Sequence, residues 1–261
     1  MQIHPGPPLI VTTSWDDGHP ADLRLADLLL KYGVRATFYV PTNNSEGRPV
    51  MHSRELASLA QHFEIGGHTR DHVALTDVPS DYALEQITSN KNDLEHRLGR
   101  TVSGFAYVRG RNNRELRSLV KQAGYQYART IQSLSSTPAR DPFDAPATIQ
   151  FFNHSRLVYF RNFLSSGPTF PRTKILSSVL SASGVADRCT HAACACMQYG
   201  GSFHLWGHSW ELDQYDLWSA LEQSLAQLSE LHPIFATNSE WIEKGNISPR
   251  SRATAPRGLQ T

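Results

Sequence analysis

Strand-like runs and helical faces alternate along this chain from its start to its end. Leu9–Ser14 is a β-branched run, and Ala21–Tyr32 then repeats apolar residues so that Ala21, Leu25, Leu28 and Leu29 share one helical face, with Gly33 as the stop. Ala36–Val40 reads as the second strand. Ser53 caps a short helix that reaches His62, and Phe63–Gly67 is strand-like again. Asp81–Leu98 has the pattern of a long amphipathic helix closed by Gly99. Val102–Tyr107 is a strand, Arg114–Ala123 a helix followed by Gly124, and Tyr127–Ile131 a strand.

The second half is less regular. Ser133–Ala147 is rich in Pro, Ser and Asp and reads as a loop, with a strand expected over Thr148–Phe152. Ser165–Arg172 is a second loop, followed by a helical stretch to about Cys196. Ser202–Trp206 is a strand, Leu217–Leu231 a helix and Pro233–Ala236 a last strand. Such alternation predicts an α/β fold with a mostly parallel sheet, and seven to eight strands at this length favour a (β/α) barrel. An open doubly wound sheet is the alternative, but no Gly-x-Gly-x-x-Gly opens the first helix. Residues 1–245 are expected to form one barrel and 246–261, nearly free of apolar residues after Gly245, a mobile tail.

Composition changes this picture little. The 261 residues carry a formal net charge of +1, 39% are hydrophobic and 19% charged, so neither a nucleic-acid partner nor a disordered chain is indicated. No apolar run is long enough to span a bilayer. No secretory leader is read at the N-terminus and three cysteines cannot all pair, so a cytoplasmic location is expected. Oligomeric state is not legible.

Chemistry enters at the strand ends. Asp16 and Asp17 end the first strand, His68 and His72 follow the third, Arg109 and Gly110 follow the fourth, and His208 follows the strand at Ser202–Trp206. In a barrel these ends share one rim, where active sites are built. Two histidines four apart on a helical turn can share an ion, and one carboxylate completes a three-ligand site with positions left open. Adjacent carboxylates face opposite sides of an extended strand, but Gly18 lets the backbone turn so that both can reach one pocket. Thr69 stands where a zincin needs glutamate. A two-His-one-carboxylate oxygenase shares the ligand set but leaves the second Asp and His208 unexplained.

The chain resembles the polysaccharide deacetylase family, the NodB homology domain of carbohydrate esterase family 4. Thr13-Ser14-Trp15-Asp16-Asp17-Gly18 is similar to its first motif, His68-Thr69-Arg70-Asp71-His72 to its second and Trp206-Gly207-His208 to its last; Phe105–Asn112 matches the third only loosely. The resemblance implies a distorted barrel holding one divalent metal ion, commonly Zn2+, with Co2+ or Ni2+ as alternatives. It assigns Asp17, His68 and His72 as ligands, Asp16 as general base and His208 as general acid. A backbone N–H near Arg109 or Gly110 would face the oxyanion, and Arg109, Gly110 and Trp206 are the expected substrate contacts. The reaction implied is removal of an acetyl or formyl group from an amino sugar or glycan, here a biosynthetic intermediate. A non-carbohydrate amide, or a glycan-binding barrel with weakened catalysis, is the alternative.

The departures matter. The third-motif arginine, which pairs with the base in the family, is Ala106 here, and Arg109, Arg111 and Arg129 are its candidate replacements. Asp141 and Asp144 are candidates to orient His208. His19 follows the first motif and is expected at the rim. His204 reads as structural, and Trp210 as packing with sugar stacking as the lesser option. Cys189, His191, Cys194 and Cys196 read as small residues on a packed helix face.

Overall fold

The structure is a computed structural model that describes residues 8–246; the expected tail at 247–261 lies outside the described residues. Eight parallel strands form one curled sheet around the chain's first strand, β1 (Ile10–Asp16). Outward on one side run β2 (Ala36–Val40), β3 (Glu64–Gly67), β4 (Gly104–Ala106) and β5 (Tyr127–Arg129). On the other side lie β7 (Ser202–His208) and β6 (Ile149–Gln150). β1 pairs with β7 along its whole length, whereas its other edge is divided. Thr13–Asp16 pair with β2, and Ile10–Thr12 pair with the short β8 (Ile234–Ala236). That split edge distorts the barrel.

Every residue of β2 is buried, as are six of seven in β1 and in β7, because the barrel interior fills one face and helices cover the other. The crossovers are α1 (Asp22–Lys31), α2 (Ser53–Leu59), α3 (Ser80–Leu98) and α4 (Arg114–Gln122). Leu25 and Leu29 of α1 are buried, as its periodicity predicts.

The expected loop at 133–147 does more than connect. Prolines at 138, 142 and 146 keep it from a regular ladder. Its end nevertheless closes the seam between β5 and β6 with backbone hydrogen bonds. Ala145 donates to Ala128 O, Thr130 to Ala145 O, Ala147 to Gln132 O and Thr148 to His204 O, at 2.8–2.9 Å. Helices follow that the hydrophobic pattern did not separate: α5 (Arg156–Ser165), α6 (Phe170–Ser181) and α7 (Val185–Tyr199), the first two overlapping the expected loop at Ser165–Arg172. Next come α8 (Ser209–Gln214), α9 (Trp218–Glu230) and α10 (Asn238–Asn246), the last running one residue past the expected limit of the barrel. α7 buries Cys189 and Cys196, whose thiols burial pushes up to about 12, and no metal-binding group forms around them among the described residues. No described helix is long and apolar enough to cross a membrane.

Candidate active site

The site lies at the C-terminal ends of β1, β3, β5 and β7. Register sets its centre, because Asp16 is the cross-strand partner of His208, so residues 192 apart in sequence become neighbours. After Asp16 the strand turns sharply, with Asp17 at φ 78° and Gly18 at φ 58°. A Cβ on Gly18 would stand 2.7 Å from Val40 Cγ1, so glycine is required there by space as well as by conformation. The turn moves Asp17 out of the strand's alternation and toward the histidines.

Asp17 Oδ1 lies 3.0 Å from His72 Nε2 and 3.6 Å from His68 Nε2, and all three residues are buried. Their ligand atoms lie within 4.8 Å of one another. The two histidines do not sit on a helical turn as the spacing predicted. Residues 68–72 are a loop in which Thr69 (φ 67°) and His72 (φ 54°) are left-handed. α3 holds that strained loop: Asn90 Oδ1 accepts from His68 N–H at 2.9 Å, Gln86 O from Arg70 N–H at 3.0 Å and Gln86 Oε1 from Asp71 N–H at 2.9 Å. Gln86 and Asn90 are fully buried polar residues of a long helix; sequence reading passed over them because only tertiary contact reveals what they hold.

These residues fit a divalent cation. Asp17 Oδ1 is buried and no hydrogen bond satisfies it, a costly arrangement that a shared cation would relieve. Trp210 Nε1 donates to the other oxygen, Oδ2, at 2.8 Å, fixing the carboxylate's orientation. Burial opposes the charge of Asp17, but His72 beside it and the charges of His208 and His68 prevail, so its carboxyl is held well below the usual range. His68 Nδ1 contacts the Ala106 carbonyl at 2.8 Å, which leaves Nε2 as the free lone pair, and burial pushes the ring down to about 4 despite Asp16 and Asp17. An anionic carboxylate and a neutral imidazole are the ligating forms.

Asp16 is ion-paired with Arg129, which is fully buried. Of the three candidate replacements for the arginine missing at Ala106, Arg129 is thus the one that meets Asp16. The other two point elsewhere, Arg109 to Glu46 at 3.0 Å and Arg111 to Asp77 at 3.4 Å, both exposed. The substitution is geometric, because Ala106 and Arg129 are cross-strand partners on β4 and β5. The guanidinium comes from the next strand at the same height, between the rings of Tyr39 and Trp206, each 5.2 Å from it.

His208 Nδ1 bonds Glu211 Oε2 at 2.8 Å. The expected orienting residues are corrected here: Asp141 and Asp144 lie on Arg117, at 3.4 and 3.1 Å. A turn into α8 brings Glu211 back onto the ring, an i, i+3 relation visible in sequence once a helix is placed at 209. Burial works against protonation of His208, but the Glu211 hydrogen bond and the charges of Asp17, Glu211 and Asp16 outweigh it and push the ring up to about 9. The ring therefore keeps its proton through neutrality and loses it as pH rises through that value. With Glu211→Gln the chief raising contribution goes. The basic limb of the rate profile then moves toward neutrality, and the rate in mildly alkaline buffer falls by about tenfold. An unmoved limb in a pH–rate profile would assign it to another group.

The remaining expected residues fall into place around this centre. Gly110 N–H donates to Tyr107 O at 2.8 Å, so it is not free to face an oxyanion. A Cβ there would stand 2.3 Å from Ile131 Cγ1, and close approach to that residue is what requires the glycine. Trp206 is 7% exposed, so it packs on Arg129 instead of presenting a face to solvent, though it borders a polar cavity of about 500 Å³ that Gly110 also lines. His204 is structural, held by Thr12 Oγ1 at 2.6 Å and Ser14 Oγ at 2.9 Å, and burial keeps it neutral at about 3. His19 accepts from Ala21 N–H at 3.1 Å. Asp22 is fully buried with neither oxygen partnered, and burial pushes its carboxyl well above the usual range.

Comparison with known proteins gives the site a context. The profile of the family described as "Polysaccharide deacetylase" matches residues 4–128. No curated protein matches the sequence. Among solved structures, a Mycobacterium smegmatis protein assigned to the polysaccharide deacetylases is 17% identical, with a TM-score of 0.66 over 100% of this chain and 99% of that one. A family 4 carbohydrate esterase from Streptomyces lividans, crystallised with acetate, is 13% identical with a TM-score of 0.55, over 85% of this chain and 88% of that one. The Streptococcus pyogenes deacetylase PplD is 19% identical with a TM-score of 0.46, and the match covers 52% of this chain and 62% of that protein's length. At these identities the likeness is one of fold.

Proposed function

Residues 4–128 of the chain belong to the polysaccharide deacetylase family, and from that premise we propose that the protein is a metal-dependent hydrolase that removes an N-acetyl or N-formyl group from an amino sugar. The observation that carries the reading is the buried convergence of Asp17, His68 and His72 beside a second carboxylate, Asp16, whose partner is a buried arginine.

Asp17, His68 and His72 would hold the ion, with Zn2+ the first expectation and Co2+ or Ni2+ the alternatives. A divalent ion there supplies Lewis-acid polarisation of the acyl carbonyl and makes water more acidic. Asp16, held by its ion pair with Arg129, takes a proton from the attacking water. His208, on the neighbouring strand, carries the proton that the departing amine needs, since an amine leaves poorly as its anion. Glu211 holds that imidazole in place and supports its charge. Trp210 keeps Asp17 from swinging away. The polar cavity beside Trp206, lined by Asn112, Gln132, Gln150 and Asn162, suits the hydroxyls of a sugar, which favours an amino sugar over a bare amide. A biosynthetic intermediate remains the substrate proposed.

The test is metal analysis of purified protein with turnover on a panel of N-acetyl and N-formyl amino sugars, nucleotide sugars and simple amides. One ion per chain is expected, with activity lost on chelation and regained with zinc, cobalt or nickel. Absence of both ion and turnover after metal addition would sink the proposal, and faster turnover of simple amides would move the substrate class.

A further inference from the structure

We propose that the outer face of α5, together with the start of α6, docks on an anionic lipid surface.

The first observation is that α5 carries two apolar stripes, one covered by the fold and one exposed. Tyr159 and Phe163 point inward and are buried, while Leu157, Phe160 and Leu164, spaced i, i+3, i+7 on one stripe, are 73%, 47% and 57% exposed. Phe170, at the first position of α6, is 66% exposed. An exposed stripe of large apolar side chains ordinarily faces something other than water, and only the stripe of Tyr159 and Phe163 is covered by the fold. Four large exposed apolar side chains within fourteen residues are also uncommon on a surface that faces water alone.

The second observation is charge. From Ala145 to Ala186 the sequence contains no Asp and no Glu, although the whole chain carries 24 of them. The same interval contains Arg156, Arg161, Arg172 and Lys174. Arg156 and Arg161 are exposed on α5 itself, and the Lys174 ammonium lies over the Phe170 ring at 5.3 Å, placing a cation beside an exposed aromatic. Apolar side chains flanked by cations, with no anion in the segment, match the interface of a bilayer containing acidic lipids: the apolar groups enter the headgroup boundary while the cations meet the phosphates. A protein partner of ordinary mixed charge would not require an acid-free stretch.

The third observation is position. The other side of α5 walls the polar cavity, through Val158, Tyr159 and Asn162, so a molecule docked by this face would hold that cavity close to the lipid headgroups. The docking itself does not depend on the proposed hydrolysis.

Sedimentation of the full chain with vesicles tests the inference without reference to activity. Binding is expected to vesicles of phosphatidylcholine mixed with phosphatidylglycerol, to be weak with phosphatidylcholine alone, and to fall at high salt. Arg156→Glu with Arg161→Glu should weaken partition by at least about fivefold for each cation removed, the equivalent of about 1 kcal/mol. Phe160→Ser with Leu164→Ser should weaken it by about tenfold for each side chain truncated. All four residues are exposed, and an unchanged thermal midpoint and circular dichroism spectrum would show that the variants remain folded. No sedimentation with the acidic vesicles, or sedimentation untouched by both pairs of variants, would overturn the inference. So would a dimer in solution that Phe160→Ser dissociates while vesicles bind nothing, since a second copy of the chain would then be what covers the stripe.

Discussion

Asp16→Asn is expected to lower turnover on an N-acetyl amino sugar by about a thousandfold while leaving the ion content unchanged. The amide keeps the size of the carboxylate and an oxygen for Arg129, but it cannot take a proton from water. The proposed ligands Asp17, His68 and His72 do not include Asp16, so metal analysis should read the same for both proteins. A second effect accompanies the first: Arg129 is fully buried and loses its counter-charge, which should cost stability on the scale of a broken buried pair, about 3–5 kcal/mol. The kinetic and thermal measurements separate these consequences. A variant that stays folded, keeps its ion and retains turnover within tenfold of the parent would remove Asp16 as the base. Loss of the ion along with activity would place it among the ligands instead.

The second large effect concerns where the arginine comes from. Arg129→Ala should leave Asp16 buried beside Asp17 with no cation against it. The buried carboxylate then loses both its counter-charge and the group that orients it, and the rate at neutral pH is expected to fall by about a hundredfold or more. Ala106 lies directly across from Arg129 in the β4–β5 register, and truncating Arg129 opens the volume that a side chain from β4 would need. The double variant Ala106→Arg with Arg129→Ala is therefore expected to recover much of the lost rate and stability, whereas Ala106→Arg alone should be damaging because two guanidiniums would compete for one fully buried space. Purified single and double variants, compared in kcat and in thermal midpoint, decide it. Additive losses in the double variant would mean that position, and not only charge, makes Arg129 the partner.

What the chain made legible was the chemistry carried by local signals. Asp16 and Asp17 before a glycine, two histidines four apart and a histidine after a late strand are short patterns, and each followed a strand whose apolar run could be read directly. The parallel architecture was legible for the same reason, since short apolar runs alternating with a period of 3.6 are a property of neighbouring residues. The expected helical geometry for His68 and His72 failed because sequence spacing cannot reveal that Gln86 and Asn90 of another element hold the intervening backbone in a loop. α5 is not separated from its surroundings by pattern because its exposed stripe is as apolar as its buried one, so apolar spacing does not say which face turns inward.

The partners of the functional groups were decided only in three dimensions. That Arg129 and not Arg109 or Arg111 meets Asp16 follows from strand register; that Glu211 and not Asp141 or Asp144 meets His208 follows from the turn into α8; that Trp210 holds Asp17 follows from the packing of that short helix against β7 and α1. Sequence by itself singled out side chains whose chemistry suits metal binding and proton transfer, because those capacities reside in single side chains. Tertiary structure fixed their charge states and orientations, because burial, hydrogen bonding and Coulomb interaction depend on distance through space, and residues separated by a hundred positions in the chain are brought into contact only when the sheet forms.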